Sequence, residues 1–299
     1  MRVLLATDGS DAAGVALELV RSITWPEGSV IRVVSVIEPV EATLSAAWAP
    51  AVAQDIEEQA DELLASAEVV VEHAARALAG CGAQIEREVM RGRPGTCVVE
   101  DAGEFGADVI VVGSRGHGEI AAMVLGSVSA EIADHAPCPV LVARRPRLTR
   151  VILATDGSEY ALAAEEVLER WPIFGHAAIE ATSVAYLGMP WTSGLALSAY
   201  APSGENYAES GREIIADHRK ICGAAAERLG RAGLRAMPRV AEGDAAHELI
   251  RIATDDQADL IVLGTHGRTG LTRLILGSVA RNVMLHAPCS VLVVRPKHH

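Results

Sequence analysis

Residues Val3-Leu-Leu-Ala-Thr-Asp-Gly-Ser10 return near the middle of the chain as Val151-Ile-Leu-Ala-Thr-Asp-Gly-Ser158. Each copy is a short apolar run that ends in a turn-forming Thr-Asp-Gly-Ser sequence, which is typical of a buried strand followed by a helix start. The copies differ at one position, Leu4 against Ile152. The chain therefore contains a long internal repeat.

Further blocks repeat in the same order. Asp108-Val-Ile-Val-Val-Gly113 recurs as Asp259-Leu-Ile-Val-Leu-Gly264, and His135-Ala-Pro-Cys138 recurs as His286-Ala-Pro-Cys289. A period of about 150 residues has the size of a whole domain and is too long for a solenoid repeat. The sequence thus predicts two related domains, 1–146 and 147–299, joined by a short basic segment around Pro146.

Within each half, β-branched runs alternate with stretches of helical spacing. The predicted strands lie at 2–7, 30–36, 85–90, 107–112 and 139–143, and again near 150–155, 178–184, 234–240, 259–263 and 290–294. Predicted first-half helices lie at 11–22, 54–79, 96–103 and 127–135. This alternation predicts an α/β fold of two tandem, doubly wound, parallel five-stranded sheets, Rossmann-like and related by a pseudo-twofold axis.

Composition excludes several classes of partner. The 299 residues include 26 Lys and Arg against 39 Asp and Glu, a formal net charge of −13, and only 3% are aromatic. An acidic surface repels phosphate backbones and anionic lipid, and few rings are available for base stacking, so neither nucleic acid nor membrane is an expected partner. Five cysteines without a Cys-x-x-Cys pair and an N-terminus unlike a signal peptide predict a cytoplasmic protein without disulfides.

A glycine pattern follows the fourth predicted strand of each half. Gly113-Ser-Arg-Gly116 is followed by nine residues and then Gly126-Ser127, and the second half repeats this spacing from Gly264 to Ser278. Glycines allow a ligand to approach the backbone closely, and Ser127 stands where the N-cap of the next helix is expected. Helix N-terminal N–H groups attract anions, so the pattern predicts a phosphate site made of backbone.

This glycine spacing resembles the ATP-binding signature of the universal stress protein family, as do the flanking strands and the opening strand that ends in Asp8. The resemblance covers nearly the whole chain as a tandem of two such domains, of the adenine nucleotide alpha-hydrolase-like type. Segments 39–53 and 187–206 resemble the family least. The resemblance implies a regulatory or stress-response module that binds ATP, with Mg²⁺ held at Asp8 and Asp156.

The resemblance also implies a role for matching residues. Asp8 and Asp156 match the position at the adenosine and metal end, and Val36 and Val184 match the adenine contact. The phosphate and ribose positions are Gly113, Gly116, Gly126, Ser127, Val128 and Ser129 in the first half and Gly264, Gly267, Gly277, Ser278 and Val279 in the second. The second half departs from the pattern at Ala280, and Arg115 and His117 become His266 and Arg268.

Simpler interpretations stay open for several of these residues. The glycine loops are also compatible with a retained structural turn. Asp8 and Asp156 are compatible with helix capping, and Val36 and Val184 with positions in the hydrophobic core. Binding of AMP or a cyclic nucleotide, or a nucleotide-free adaptor role, are the alternative functions. His135 and His286 are expected to close helices, and Cys138 and Cys289 to be buried and inert.

No catalytic residue is predicted, because neither a phosphate-binding lysine nor a nucleophile arrangement is evident. We therefore expect no dedicated enzyme and at most a slow ATPase. The resemblance further implies that the last strands, Val140–Ala143 and Val291–Val294, pair with each other inside the chain. The expected partners are an adenine nucleotide and an unknown protein, with homodimer formation left open.

Overall fold

The structure is a computed structural model that describes residues 1–38, 50–116, 125–187, 204–267 and 276–296, with side chains of the two long helices described from residues 59 and 209 onward. Most of the segments 39–53 and 187–206 lies outside the described residues, as do His117 and Arg268.

Strands and helices alternate through both halves. The first half contains β1 Arg2–Ala6, α1 Asp11–Ser22, β2 Val30–Ile37, α2 Pro50–Ala77, β3 Gln84–Arg91, α3 Pro94–Phe105, β4 Val109–Gly113, α4 Ser127–His135 and β5 Val140–Ala143. The second contains β6 Arg150–Ala154, α5 Glu159–Arg170, a 3₁₀ turn at Pro172–Phe174, β7 Ala178–Ala185, α6 Gly204–Arg231, β8 Arg235–Glu242, α7 Ala245–Asp255, β9 Leu260–Gly264, α8 Ser278–His286 and β10 Ser290–Val294. The predicted order of elements is confirmed.

The predicted bounds of α2, 54–79, differ from the observed ones by four residues at the start and two at the end, and those of α3, 96–103, differ by two residues at each end. The difference in α3 has a clear cause. The helix begins two residues earlier because Pro94 stands at a position where its fixed φ suits a helix and its missing N–H costs nothing. It ends at Gly106, whose left-handed φ of 65° is easily adopted only by glycine.

The two halves share one sheet. Its ten strands run in the order β3-β2-β1-β4-β5-β10-β9-β6-β7-β8, with parallel pairing inside each half. The two five-stranded sheets predicted from the sequence are thus joined edge to edge through β5 and β10, which pair antiparallel. This junction confirms the expected pairing of the last strands, and it covers an apolar edge that would otherwise be unpaired.

Aliphatic side chains fill both sides of the sheet. One core cluster includes Leu141 and Leu292, and the cluster on the opposite face includes Val142 and Val291. Each cluster contains residues of both halves, so the core is continuous across the junction. Among the described residues, no helix has both the length and the apolar character needed to span a membrane.

The strand order places the functional crevices. In each half the chain proceeds from the central strand, β1 or β6, to one side and then returns to the other. Crossover connections therefore diverge between β1 and β4 and between β6 and β9, which leaves a crevice beyond their carboxyl ends.

Candidate functional site

A cavity of about 450 Å³ opens at the carboxyl ends of β1 and β4 in the first half. This volume falls within the usual range for small-molecule sites, which is roughly 300–1,000 Å³. The lining includes every first-half residue predicted from the sequence: Asp8, Val36, Gly113, Gly116, Gly126, Ser127, Val128 and Ser129. Folding thus brings together residues that come from widely separated parts of the sequence.

Asp8 shapes the turn at the mouth of this cavity. Its Oδ1 accepts a hydrogen bond from the N–H of Ser10 at 3.0 Å, while Ser10 itself caps α1 by accepting from the N–H of Ala13 at 3.3 Å. The cap is therefore Ser10, and the capping interpretation of Asp8 is wrong. A Cβ on Gly116 would lie 2.7 Å from Asp8 Oδ2, so any larger residue there would force this carboxylate to move.

The second half repeats this turn closely. Asp156 Oδ1 accepts from the N–H of Ser158 at 3.0 Å, and Ser158 caps α5. A Cβ on Gly267 would lie 2.8 Å from Asp156 Oδ2. Both carboxylates thus accept a hydrogen bond from the N–H group two residues later, and both lie beside the second glycine of their loop.

Gly113 has a packing role that the sequence does not reveal. A Cβ at this position would lie 2.7 Å from the carbonyl oxygen of Ala12 at the start of α1, and one at Gly264 would lie 2.6 Å from that of Tyr160. These contacts are too short for any side chain. The first glycine of each loop therefore lets a helix start approach the strand end, and Gly113 in addition lines the cavity.

Helix α4 begins at the floor of the cavity without a side-chain cap. Its N-cap is Gly126, with φ −63° and ψ 148°, and α8 has Gly277 in the same role. Ser127 and Ser278 are thus the first helical residues, and the N-cap prediction for Ser127 is wrong. The first N–H groups of an α-helix have no carbonyl partner within the helix, so an anion is favoured at this end.

Ser129 fastens α4 to the strand behind it. Its buried hydroxyl donates a hydrogen bond to the carbonyl oxygen of Gly113 at 2.8 Å. The equivalent residue in the second half is Ala280, which has no hydroxyl. The sequence predicts that the second site lacks one hydroxyl. The structure adds that this hydroxyl ties the start of α4 to β4, and that α8 lacks this hydrogen bond.

The charged and aromatic groups beside the two loops also differ. Arg115 lines the first cavity, whereas His266 holds the equivalent position and lies against Tyr160, with ring centroids 5.0 Å apart. The Nδ1 atom of His266 is buried and has no hydrogen-bond partner among the described residues.

Metal binding by protein side chains alone is not supported in the described part of the chain, where no group of three or more His, Cys, Asp or Glu residues is suitably placed. Mg²⁺ usually takes one or two carboxylates together with phosphate oxygens and water. Each site has a single carboxylate, Asp8 or Asp156, which could hold Mg²⁺ only together with phosphate oxygens and water.

The apolar wall of the cavity was missed in the sequence. Val34, Pro94, Val98 and Ile132 line it, from β2, α3 and α4. Val34, Val98 and Ile132 are at the same time core residues, each at most 1% exposed, and Pro94 is partly buried. The sequence predicts such residues as core, and only the folded chain shows that they also border a cavity. Val36 lies on the same wall, and both Val36 and its equivalent Val184 pack partly buried against the core.

The remaining candidates have structural roles. His135 lies in the last turn of α4, with Nδ1 2.9 Å from the carbonyl oxygen of Glu131. Cys138 and Cys289 are buried, and burial raises the pKa of Cys289 to about 12. A thiol with such a pKa is protonated and unreactive at neutral pH, as expected for an inert core cysteine.

Comparison with known proteins extends these observations. A universal stress protein of Mycolicibacterium smegmatis is 28% identical over 307 residues, which cover 99% of this chain and 97% of that protein. Universal stress protein Rv1996 of Mycobacterium tuberculosis is 28% identical over 324 residues, with 98% and 94% covered. The crystal structure of a universal stress protein from Archaeoglobus fulgidus DSM 4304 shares the fold, with a TM-score of 0.68, 22% identity and 99% and 98% coverage.

The sequence profile of the Universal stress protein family matches this chain twice, at residues 1–144 and 148–295. The matches fall on the two halves of the sheet and together span nearly every described element. This chain is therefore a tandem member of the universal stress protein family.

Proposed function

We propose that this chain binds ATP in the first-half crevice and in its second-half copy, as a nucleotide-dependent regulatory module. The observation that carries the proposal is the first-half cavity, which joins an uncapped helix N-terminus, a carboxylate and an apolar wall in about 450 Å³. An apolar wall suits a purine ring, and uncapped N–H groups suit phosphate oxygens.

Each part of the nucleotide has a matching region. The partly buried Val36 and Pro94 would supply apolar surface for the adenine, and the N–H groups at the start of α4, from Ser127 to Ser129, would bind the phosphates. Asp8 would hold Mg²⁺ jointly with phosphate oxygens, and the ion would neutralise part of the phosphate charge. Arg115 also lines this cavity and offsets the charge of Asp8, so the N–H groups at the uncapped start of α4 can favour an anion in an otherwise acidic protein.

Rapid ATP hydrolysis is not part of this proposal. The lining of the described cavity contains one carboxylate and one arginine and includes neither lysine nor histidine. Phosphoryl transfer relies on several positioned charges and an oriented nucleophile. We therefore propose binding with at most slow turnover.

Regulation would follow from ligand binding to the folded loops. A ligand that binds only the ordered state stabilises it by mass action, by about 2.7 kcal/mol at a hundred times the Kd. The glycine loop, α4 and the neighbouring surface would then present one arrangement to a protein partner. A change in nucleotide concentration would thereby change partner affinity.

Small molecules released from the purified full chain test this proposal, together with calorimetric titration of ATP in Mg²⁺. We expect ATP at up to two equivalents, and a loss of one equivalent in each of the single variants Gly126→Leu and Gly277→Leu. The equivalent Cβ positions already lie 3.3 Å from Arg115 Cα and 3.0 Å from the Thr265 carbonyl oxygen, so a larger side chain would displace the loop.

Gly103→Leu is the matched control, because a Cβ there meets no atom within 4 Å. If AMP or a cyclic nucleotide binds more tightly than ATP, the proposed ligand would be wrong, but the proposed site would stand. Unchanged affinity in both loop variants would refute the site. Absence of any nucleotide binding would favour the adaptor role.

A further inference from the structure

The halves differ at the amino-terminal side of the sheet, away from the nucleotide crevices. Phe105 ends α3 in the first half, and Asp256 takes its place after α7 in the second. The two positions are equivalent, since each precedes a residue with left-handed φ: Gly106 at 65° and Gln257 at 51°.

In the first half the phenyl ring fills the space beside the sheet. Phe105 is 3% exposed, and two guanidinium groups lie over its ring, those of Arg32 at 4.2 Å and Arg2 at 4.8 Å from the centroid. Such cation–π contacts stabilise an aromatic ring against a positively charged group. The ring is thus an internal plug held by arginines.

In the second half a cavity of about 630 Å³ opens where strands β6, β7 and β8 begin. Its lining includes Asp256 at the plug position and Arg150, which is the equivalent of Arg2. Ile152, which lies on the same face of the sheet as Phe105, forms part of the apolar floor, and Met237 lies at the rim with 73% of its surface exposed. Loss of the aromatic plug therefore leaves a space with an apolar floor and an arginine at its side.

The rim of this cavity carries positive charge. Arg239 is paired with Glu180 at 3.0 Å and with Asp256 at 2.6 Å, so this group of one guanidinium and two carboxylates carries one net negative charge. Arg150 and Arg235 add two positive charges, and the lining as a whole is therefore positive by one charge. Arg150 and Arg235 instead donate to backbone carbonyl oxygens, of Asp256 and His176, each at 3.0 Å. Neither forms an ion pair with a carboxylate among the described residues. Two guanidinium groups thus retain their charge on a chain of net charge −13.

We propose that this cavity binds a small aromatic carboxylate. The ring would take the place that Phe105 occupies in the first half, beside Arg150, and the carboxylate would pair with Arg150 and Arg235. Guanidinium groups bind carboxylates with paired hydrogen bonds, and the thioether of Met237 is a favourable neighbour for a ring. The site lies at the amino ends of the strands, so it is independent of the proposed nucleotide crevices.

Titration of the full chain with phenylacetate, followed by NMR and calorimetry, tests the proposal. We expect saturable binding with a Kd of about 1 mM or tighter, since a ligand of this size at ordinary efficiency reaches that range. Cyclohexylacetate has the same charge without an aromatic ring, and its affinity should be at least about fivefold lower. The Asp256→Phe variant should abolish binding by restoring the plug.

Asp256→Asn keeps the cavity open and is the matched control, which should still bind. Arg235→Gln should weaken binding by about tenfold through loss of one charge partner, and it serves if the plug variant fails to fold. Three results would overturn the proposal: no saturable binding, equal binding by Asp256→Phe, or displacement of phenylacetate by ATP. Equal affinities for cyclohexylacetate and phenylacetate would overturn the proposed preference for an aromatic ring.

Discussion

Leu141 and Leu292 face each other at the centre of the antiparallel pair between β5 and β10, and each is the sequence equivalent of the other. Val140 pairs with Val293 and Val142 with Val291, so the register is symmetric about the two leucines. This is the geometry of a twofold dimer interface within one chain. The pseudo-twofold axis passes between these two residues.

Truncation at this junction should destabilise the whole molecule, because both core clusters continue across it. Leu292 is 1% exposed, and we expect Leu292→Ala to lower the free energy of unfolding by about 2–5 kcal/mol. Urea denaturation measures this change. Leu162→Ala on α5, where the side chain is 36% exposed, is the control, with an expected loss of less than about 1 kcal/mol. Equal losses in the two variants would show that the junction contributes little.

Each half holds a helix end of the other half. Arg295, after β10, donates to the carbonyl oxygens of Ala133 at 2.6 Å and Asp134 in α4, and Arg144, after β5, donates to that of Met284 in α8. Substitution of either arginine should therefore affect the helix of the opposite half. We expect Arg295→Met to accelerate amide hydrogen exchange in α4, and Arg144→Met in α8, by about tenfold.

Exposed Arg231 on α6 offers a control for these substitutions, and Arg231→Met should leave exchange in both α4 and α8 unchanged. Faster amide hydrogen exchange confined to the half that carries the substitution would contradict the expected effect on the other half.

The two glycines Gly113 and Gly103 should respond oppositely to alanine. At Gly113 the new Cβ would lie 2.7 Å from the Ala12 carbonyl oxygen, and we expect a loss of about 1–3 kcal/mol of stability from overpacking. At Gly103, inside α3, a Cβ meets no atom within 4 Å, and alanine should stabilise by about 0.5–1 kcal/mol. Thermal unfolding of both variants measures the difference. A neutral Gly113→Ala variant would be inconsistent with the observed approach of α1 to β4.

Glu165 should make stability depend on pH. It is 2% exposed, accepts a hydrogen bond from Thr155 at 2.9 Å and pairs with Arg228. Burial raises the pKa of Glu165 above the ordinary 4.5, despite these partners. The folded state then holds the proton more tightly than the unfolded state. Its stabilising contribution is present below pH 4.5 and is lost as pH rises through the raised pKa.

Glu165→Gln should therefore gain stability relative to the wild type as pH rises from about 4.5 towards 7, with a slope of at most about 1.4 kcal/mol per pH unit. Urea denaturation across this range measures it, with exposed Glu166→Gln as the control. A relative loss with rising pH would mean that Arg228 holds the pKa below 4.5.

Much of the architecture is evident in the sequence because its signals are local. Alternating apolar runs and helical spacing predict the order of elements, and the repeat of Val3–Ser10 at Val151–Ser158 predicts two equivalent halves. The glycine spacing predicts which loop faces the crevice. Strand periodicity and glycine conformation depend on neighbouring residues, so they can be inferred without knowledge of distant contacts.

Roles that depend on distant contacts emerged only from the folded chain. The need for glycine at Gly113 comes from Ala12, and the hydroxyl of Ser129 is directed to Gly113. Likewise, the cavity beside Arg150 is lined by Asp256, which stands at the position of the buried Phe105 of the first half. The repeated sequence thus specifies two similar halves, whereas packing between residues far apart in the chain determines what each glycine, hydroxyl and cavity does, because steric contact and burial exist only once those residues meet.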